Sequence, residues 1–253
     1  MCAMKANPDF SNGAYLFPPI NKEGLRFGAV ALALATLYAA AALAVAHFVQ
    51  PCLGGILCLF ILPLYLLAYG TFLFFRDPER YPPEDEKAIL SPADGRVCLV
   101  EEVPLPEELL ADGAAAKFGL DPAARHVRVS VFMSVFNVHV NRMPTAGRIL
   151  KKAYVPGKFL NASLDKASKD NERCAYLVET PGGARYGVVQ IAGLVARRIV
   201  PFVEDGDMRG RAERFGLIRF GSRLDVYLPA GVAAEVRVGQ VMTAGETILG
   251  HLK

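Results

Sequence analysis

A chain of 253 residues, 53% of them hydrophobic, is long enough for one compact domain and an additional segment. Its 28 basic and 25 acidic side chains give a net charge of +3, too small and too evenly scattered to favour a nucleic-acid surface. The five cysteines form no CxxC pair, so neither a disulfide framework nor a zinc site is indicated, and we expect no metal.

The additional segment lies near the start of the chain, where residues 27–75 contain no Asp, Glu, Lys or Arg. Pro51 and a Gly-Gly pair divide it into residues 27–49 and 53–75. Each part reaches the ~20 residues that a helix needs to cross the hydrocarbon core of a bilayer. The sequence therefore predicts a helical hairpin that attaches the protein to a membrane, by spanning it or as a re-entrant hairpin.

Basic residues flank this hairpin on both sides. Lys22 and Arg26 precede it, Arg76 and Arg80 follow it, and the connection "HFVQPC" carries no positive charge. By the positive-inside rule, both ends of the hairpin lie in the cytoplasm. The location predicted for the rest of the chain is therefore the cytoplasmic side of the cell membrane.

A charged, Pro-rich stretch, "FFRDPERYPPEDEKAIL", follows the hairpin and is typical of a linker. We place the domain boundary there, with an N-terminal segment at 1–80 and a β-rich domain at 81–253. Short β-type runs separated by Gly, Pro, Asn and Asp predict a mainly β (α+β) domain of barrel or sandwich type. Helical patterning is confined to residues 106–120. The runs are "GRVCLVEEV", "HVRVSVFM", "VHVNRM", "GRILKKAYV", "CAYLVET", "YGVVQIAG", "LIRF", "LDVYLP" and "AEVRVG".

The last part of the domain, "VRVGQVMTAGETILG", looks like half of a lipoyl carrier domain, in which Gly turns connect short strands. Just before it, the stretch "RFGSRLDVYLP" reads as a strand that Gly221 and Ser222 interrupt. Glycine in a strand usually marks a bulge or a place where another group approaches the backbone closely. On this stretch alone, a bulge with a solvated serine is the simplest interpretation.

Two further motifs carry residues that fit catalysis. His139 lies in "FMSVFNVHVNRMP", where strand alternation places it on one face with Asn137 and Asn141. Asp94 lies in "SPADGRV", a turn signature. Ser222, His139 and Asp94 would supply a hydroxyl, a base and a carboxylate that orients the base. A solvated polar face and a carboxylate that only stabilises its turn are the alternatives.

The order and spacing of these motifs resemble the phosphatidylserine decarboxylases of the short, membrane-anchored bacterial and archaeal type. The resemblance extends over nearly the whole chain and implies conversion of phosphatidylserine to phosphatidylethanolamine and CO2 in phospholipid biosynthesis. The segments that carry it are "FPPINKEG", "FFRDPER", "SPADG", "FNVHVNRMP", "YVPGKFLNASLDKASKDNER", "QIAG" and "ERFGLIRFGSRLDVYLP".

The resemblance further implies that the chain cuts itself between Gly221 and Ser222 and that Ser222 becomes a covalent pyruvoyl cofactor. The Ser222 hydroxyl attacks the Gly221 carbonyl, and elimination and hydrolysis then leave a ketone that accepts the electron pair released with CO2. The chains 1–221 and 222–253 are expected to remain associated, with a membrane phospholipid as substrate and no nucleic acid. The oligomeric state stays open, a homo-oligomer included.

Two positions depart from the longer members of the family, which carry Gly-Ser-Thr and His-x-x-His. Here Arg223 follows the serine, and Arg142 lies near the position of the second histidine. We therefore expect His139 to serve both self-cleavage and decarboxylation. A membrane-anchored serine hydrolase and a non-catalytic lipoyl-like adaptor are the competing interpretations. Within the family, a decarboxylase acting on an archaeal ether-lipid serine stays open.

Overall fold

The computed structural model describes residues 19–157, 171–193, 198–219 and 222–253. The chain divides into two compact units, Met1–Glu79 and Arg80–Lys253, which are described separately.

The first unit is helical. It contains α1 (Lys22–Ala44), a π-helical turn (Val45–Val49), α2 (Pro51–Cys58) and α3 (Ile61–Phe74). Gln50 leaves the helical region with a φ of −154°, and its side chain caps α2 by accepting a hydrogen bond from Leu53 N. Proline is well suited to the first position of α2, because the backbone N–H that it lacks would have no helical partner there.

Small residues let α1 and α3 approach closely. A Cβ added to Gly28 would lie 2.3 Å from the ring of Phe72, so the ring occupies the space that a side chain would need. The stretches Lys22–Val49 and Pro51–Phe74 are long and apolar enough to cross a membrane. Many of their large apolar side chains are exposed, with Phe48 at 81%. The predicted helical hairpin is confirmed, and its apolar surface favours membrane association.

The second unit is mainly β. Its short helices are α4 (Glu107–Leu110) and α5 (Ala114–Lys117). Its strands are β1 (Ala88–Leu90), β2 (Gly95–Val103), β3 (His126–Met133), β4 (Val140–Arg142), β5 (Gly147–Val155), β6 (Arg173–Glu179), β7 (Arg185–Ala192), β8 (Arg198–Pro201), β9 (Met208–Arg209), β10 (Arg214–Arg219), β11 (Ser222–Tyr227), β12 (Val241–Met242) and β13 (Ile248–His251).

These strands form three sheets within the described residues. The largest has the order β12-β2-β3-β11-β7-β6-β5-β9, a second has the order β4-β10-β8, and the third pairs β1 with β13. Buried apolar side chains of the two larger sheets fill one core, where Tyr176 of β6 stacks edge-on against Phe215 of β10. The mainly β prediction is confirmed in its sandwich form, because β12 and β9 leave the largest sheet open at both edges.

Two predicted elements differ in the structure. The helix expected over 106–120 is split into α4 and α5, because Asp112 and Gly113 adopt positive φ angles of 57° and 75°. The strand expected for "AEVRVG" is wrong: no strand forms there, although Val236 is buried and Glu235 N donates to Leu249 O. Of the two alternating valines, Val236 packs as part of a loop against the core, whereas Val238 is exposed.

The stretch "RFGSRLDVYLP" contains two strands that belong to different sheets. Strand β10 ends at Arg219 in the three-stranded sheet, and β11 begins at Ser222 in the eight-stranded sheet. The expectation of one strand with a bulge is therefore wrong, because the chain changes sheets between these residues. Gly221 lies outside the described residues.

Candidate active site at the start of strand β11

Ser222 occupies a central and fully buried position. It is the first residue of β11 and pairs with Met133 of β3 on one side and with Ala192 of β7 on the other. Its side chain is 0% exposed, and its Oγ lies 3.8 Å from the Sδ of Met133. The interpretation of Ser222 as a solvated serine is therefore wrong.

His139 is also fully buried, and it lies beside β10. Its carbonyl accepts a hydrogen bond from Ile218 N at 3.3 Å, and its Nδ1 lies 3.0 Å from the carbonyl oxygen of Asn137. Because a carbonyl oxygen can only accept, Nδ1 carries the hydrogen. In the neutral ring this leaves a lone pair on Nε2, so Nε2 is the nitrogen that can act as a base.

Asn137 does not share a strand face with His139, contrary to the sequence-based expectation. Its side-chain Oδ1 accepts from Ser134 N at 2.9 Å and from Ser134 Oγ at 2.8 Å, and Asn137 N donates to Ser134 O at 3.0 Å. Asparagine commonly closes turns in this way. Strand β4 begins only at Val140, so Asn137 shapes the turn that precedes His139.

A buried chain of polar side chains lies next to Ser222. Tyr176 Oη donates to Gln190 Oε1 at 2.8 Å, and Gln190 Nε2 donates to Asn141 Oδ1 at 2.7 Å. Asn141 Nδ2 then lies 3.7 Å from the same Met133 sulfur that Ser222 contacts. We call Tyr176, Gln190 and Asn141 the buried amide chain; all three are 0% exposed. Burial raises the pKa of Tyr176 far above its usual range, so its hydroxyl remains a donor.

Sequence reasoning identified Asn141 but not Gln190 or Tyr176. The signal for Gln190 was a lone amide in the apolar strand "YGVVQIAG", since a buried amide needs partners. Gly216 of β10 lies directly over it, where an added Cβ would meet Gln190 Nε2 at 2.7 Å. Glycine at 216 therefore gives the glutamine side chain room between the two sheets.

Asp94 lies in a turn at the same end of the eight-stranded sheet. Gly95, which follows it, has a φ of 150°, and an added Cβ would lie 2.1 Å from Phe132 O, beside Met133. Among the described residues, the Asp94 carboxylate bonds Arg80 Nη2 at 2.8 and 3.0 Å and accepts from Ala244 N at 2.8 Å. The structure thus brings the Asp94 turn to the serine end. Within the described ranges, its carboxylate accepts no hydrogen bond from His139.

The two residues that depart from the longer family members have structural partners. Arg223 points to the sheet face opposite Ser222, where it bonds Asp225 through Nε at 2.6 Å and Nη2 at 2.9 Å. Burial lowers the pKa of Arg223, but Asp225 more than offsets this, so the net shift is upward. Arg142 donates from Nη1 to Ala212 O at 3.0 Å.

A cavity of about 590 Å³ lies on the Arg223 face of the sheet. Its lining includes Arg128, Asp225 and Tyr227 but not Ser222, His139 or Asp94. Burial and the nearby Asp225 carboxylate raise the pKa of Tyr227 to about 12. This cavity is therefore separate from the candidate catalytic residues.

Across the described residues, no three His, Cys, Asp or Glu side chains converge as metal ligands.

Comparison with known proteins identifies the family. The model of the phosphatidylserine decarboxylase family matches residues 69–250. The chain belongs to this family. A phosphatidylserine decarboxylase proenzyme of Erythrobacter litoralis is 50% identical over 246 residues, which cover 97% of this chain and 93% of the relative.

Two further relatives carry the same description. The protein of Ruegeria pomeroyi is 58% identical over 187 residues, covering 74% of this chain and 81% of the relative. That of Zymomonas mobilis is 48% identical over 236 residues, covering 93% of this chain and 88% of the relative. The resemblance predicted from the motifs is confirmed, and with it the assignment to a family of decarboxylases. Membership disfavours the serine hydrolase and the non-catalytic adaptor.

Proposed function

We propose that this chain converts phosphatidylserine to phosphatidylethanolamine and CO2 after cutting its own backbone between Gly221 and Ser222. One observation carries the proposal: a buried serine hydroxyl begins β11, three residues after the last residue of β10, which lies in another sheet. Membership in the phosphatidylserine decarboxylase family and the proenzyme description of its relatives support it.

In the proposed cleavage, Nε2 of His139 takes the proton of Ser222 Oγ, which attacks the Gly221 carbonyl carbon. The bond from that carbon to Ser222 N breaks, the nitrogen leaves as an amine, and Gly221 is held as an ester. Elimination across Cα and Cβ of residue 222, in which a base takes the Cα proton, then releases the Gly221 carboxylate and leaves dehydroalanine. One water hydrolyses the imine form of dehydroalanine to the pyruvoyl ketone, and the nitrogen leaves as ammonia. Because Ser222 is fully buried, bulk water is kept from hydrolysing the ester first.

The surroundings of Ser222 fit a pyruvoyl group in its place. The position is small and fully buried, the neighbouring Met133 sulfur is soft and apolar, and the strand is held from both sides. A pyruvoyl group supplies an electron sink for decarboxylation. His139 would hold and return the proton that replaces CO2, and the buried amide chain would keep Met133 and the adjacent backbone in place.

Strand β11 also explains why the two products of the cut would remain together. Its partners β3 and β7 both belong to 1–221, and Leu224 and Val226 are fully buried in the shared core. On the other face, Asp225 lies 3.8 Å from Arg128 of β3. We infer that 222–253 is held by backbone pairing, apolar burial and an ion pair together.

The proposed location is the cell membrane, with the catalytic unit on the cytoplasmic side. The apolar helices supply the attachment, and the basic residues that flank them supply the orientation. A membrane-attached enzyme suits a substrate that itself resides in the bilayer.

Denaturing gel electrophoresis and intact mass of the purified full chain test this proposal. We expect two chains, with the smaller one comprising 222–253 and lighter by one ammonia than a peptide that begins with serine. Ser222→Ala should remain a single chain and release no CO2 from phosphatidylserine. Active protein that remains one chain with an unchanged Ser222 would overturn the proposal.

A further inference from the structure

The turn that follows β3 exposes two adjacent apolar side chains. Val135 is 45% exposed and Phe136 is 82% exposed. Phe136 is the most exposed large apolar side chain in the described part of the second unit, ahead of Tyr81 at 77%. No charged residue occurs from Ser134 to Asn141. We call Val135 and Phe136 the apolar tip.

Hydrogen bonds hold the apolar tip outward. The three bonds between Ser134 and Asn137 close the turn from both sides, so its backbone cannot fold the tip toward the core without losing them. Exposing a Phe side chain to water forfeits the free energy that its burial would contribute. The turn therefore keeps two adjacent apolar side chains at the surface, where an apolar contact would remove them from water.

The apolar tip is also close in sequence to the candidate catalytic residues. Met133, which pairs with Ser222, precedes the turn by one residue, and His139 follows Asn137 by two. A surface bound by the tip would therefore be adjacent to the end of the sheet where Ser222 lies.

We propose that the apolar tip inserts into the acyl region of a phospholipid bilayer and holds the serine end of the sheet at the membrane surface. We name a bilayer as the occupant because the chain carries two helices apolar enough to lie in one. Aromatic and aliphatic residues with uncharged neighbours are suited to the lipid interface. The inference extends the proposed lipid substrate, but its principal test does not depend on turnover.

The chain contains no tryptophan, so Phe136→Trp introduces a single fluorescent indole at the tip. Full-length protein is placed in vesicles of phosphatidylcholine and phosphatidylglycerol, with and without phosphatidylcholine brominated on its acyl chains. Met208→Trp is the matched control, because Met208 is 55% exposed and lies on the edge strand β9, whose partner residue Arg148 is at the opposite end of the sheet.

We expect the emission of Phe136→Trp to be blue-shifted and quenched by the brominated lipid, and that of Met208→Trp to be neither. Equal quenching of the two variants would overturn the proposal. So would a blue shift without quenching at position 136, since that result indicates cover by protein, such as a second copy of the chain. If the wild type releases no CO2 but the fluorescence of Phe136→Trp is quenched by the brominated lipid, the proposed function fails and the membrane contact stands.

A second measurement uses the double variant Val135→Ser/Phe136→Ser. We expect it to raise the mole fraction of phosphatidylserine needed for half-maximal rate on the order of tenfold, with a smaller change in maximal rate. Phe136→Leu, which stays apolar, should restore most of the loss. A fall in maximal rate alone, without rescue by leucine, would contradict a membrane role.

Discussion

The two faces of β11 carry different chemistry, although neighbouring residues supply them. Ser222 faces the core with Leu224 and Val226, close to the buried amide chain. Arg223 and Asp225 face the other way and form an ion pair. Because successive side chains of a strand alternate between faces, one residue step separates the proposed reactive group from a structural contact. Arg223 is adjacent to the proposed cleavage site in sequence, but its guanidinium pairs with Asp225 on the face of the strand opposite the Ser222 hydroxyl.

The largest effect is expected on the serine face. His139→Ala should leave an uncut chain, with cleavage slowed by about 10²-fold or more, because a serine hydroxyl without a base is a poor nucleophile near neutral pH. Time courses of cleavage after synthesis, followed on denaturing gels, measure this.

His126→Ala is the matched control for that variant. His126 is also buried, and its Nδ1 also bonds a backbone carbonyl, that of Leu228 at 2.8 Å, but it begins β3 at the end away from Ser222. It should cut at close to the wild-type rate. Normal cutting by His139→Ala without CO2 release would restrict His139 to decarboxylation.

Substitutions on the opposite face of β11 should change the free energy of unfolding more than they change the rate of cleavage. In a Ser222→Ala background, Asp225→Asn should lower the free energy of unfolding by about 3–5 kcal/mol, because it leaves the buried Arg223 charge without its carboxylate. Denaturant titration measures the loss. Replacing both partners, with Arg223→Met and Asp225→Leu, should recover most of it. If the double variant is as unstable as the single one, the ion pair is not the reason.

The buried amide chain should have a mixed effect. Gln190→Leu removes the partners of Tyr176 and Asn141 at once and should cost about 2 kcal/mol, since buried polar groups left unpaired are destabilising. It should also slow cleavage, because Asn141, which lies beside Met133, loses the hydrogen bond from Gln190 that fixes its side chain. Tyr176→Phe, at the far end, should cost about 1 kcal/mol and leave cleavage nearly unchanged. Equal cleavage rates in Gln190→Leu and the wild type would show that the buried amide chain contributes to packing and not to cleavage.

Among the three candidate catalytic residues, the smallest effect is expected at Asp94. Asp94→Asn should slow cleavage less than His139→Ala, and the loss of its ion pair with Arg80 should cost about 1 kcal/mol, since both side chains are partly exposed. The variant Arg80→Gln distinguishes two possible roles of the Asp94 carboxylate, which are to hold its turn through Arg80 or to act on His139. If Asp94 acts by holding its turn, both variants should slow cleavage equally; if it acts on His139, Arg80→Gln should cut at least as fast as the wild type.

Much of the fold follows from local patterns. The expected runs "GRVCLVEEV", "HVRVSVFM" and "GRILKKAYV" have the same bounds as β2, β3 and β5, because each alternates or buries apolar residues between turn signals. The site was predicted less completely. Ser222 stood out because Gly-Ser interrupts a β-type run, and His139 because polar residues there alternate with valines. Tyr176 looked like ordinary core, and its partner Gln190 is 14 residues away.

The sequence alone determined the uncharged hairpin, most of the strands and the family, because these depend on composition, short-range periodicity and the order of motifs. Three further features become visible in the folded chain alone: β10 and β11 lie in different sheets, Asp94 pairs with Arg80, and Gln190 meets Asn141 across the sandwich. Such contacts depend on strand register and on which sheet a strand joins. Neither is encoded in the few residues around each partner, because the energy that selects them comes from burial shared over the whole core.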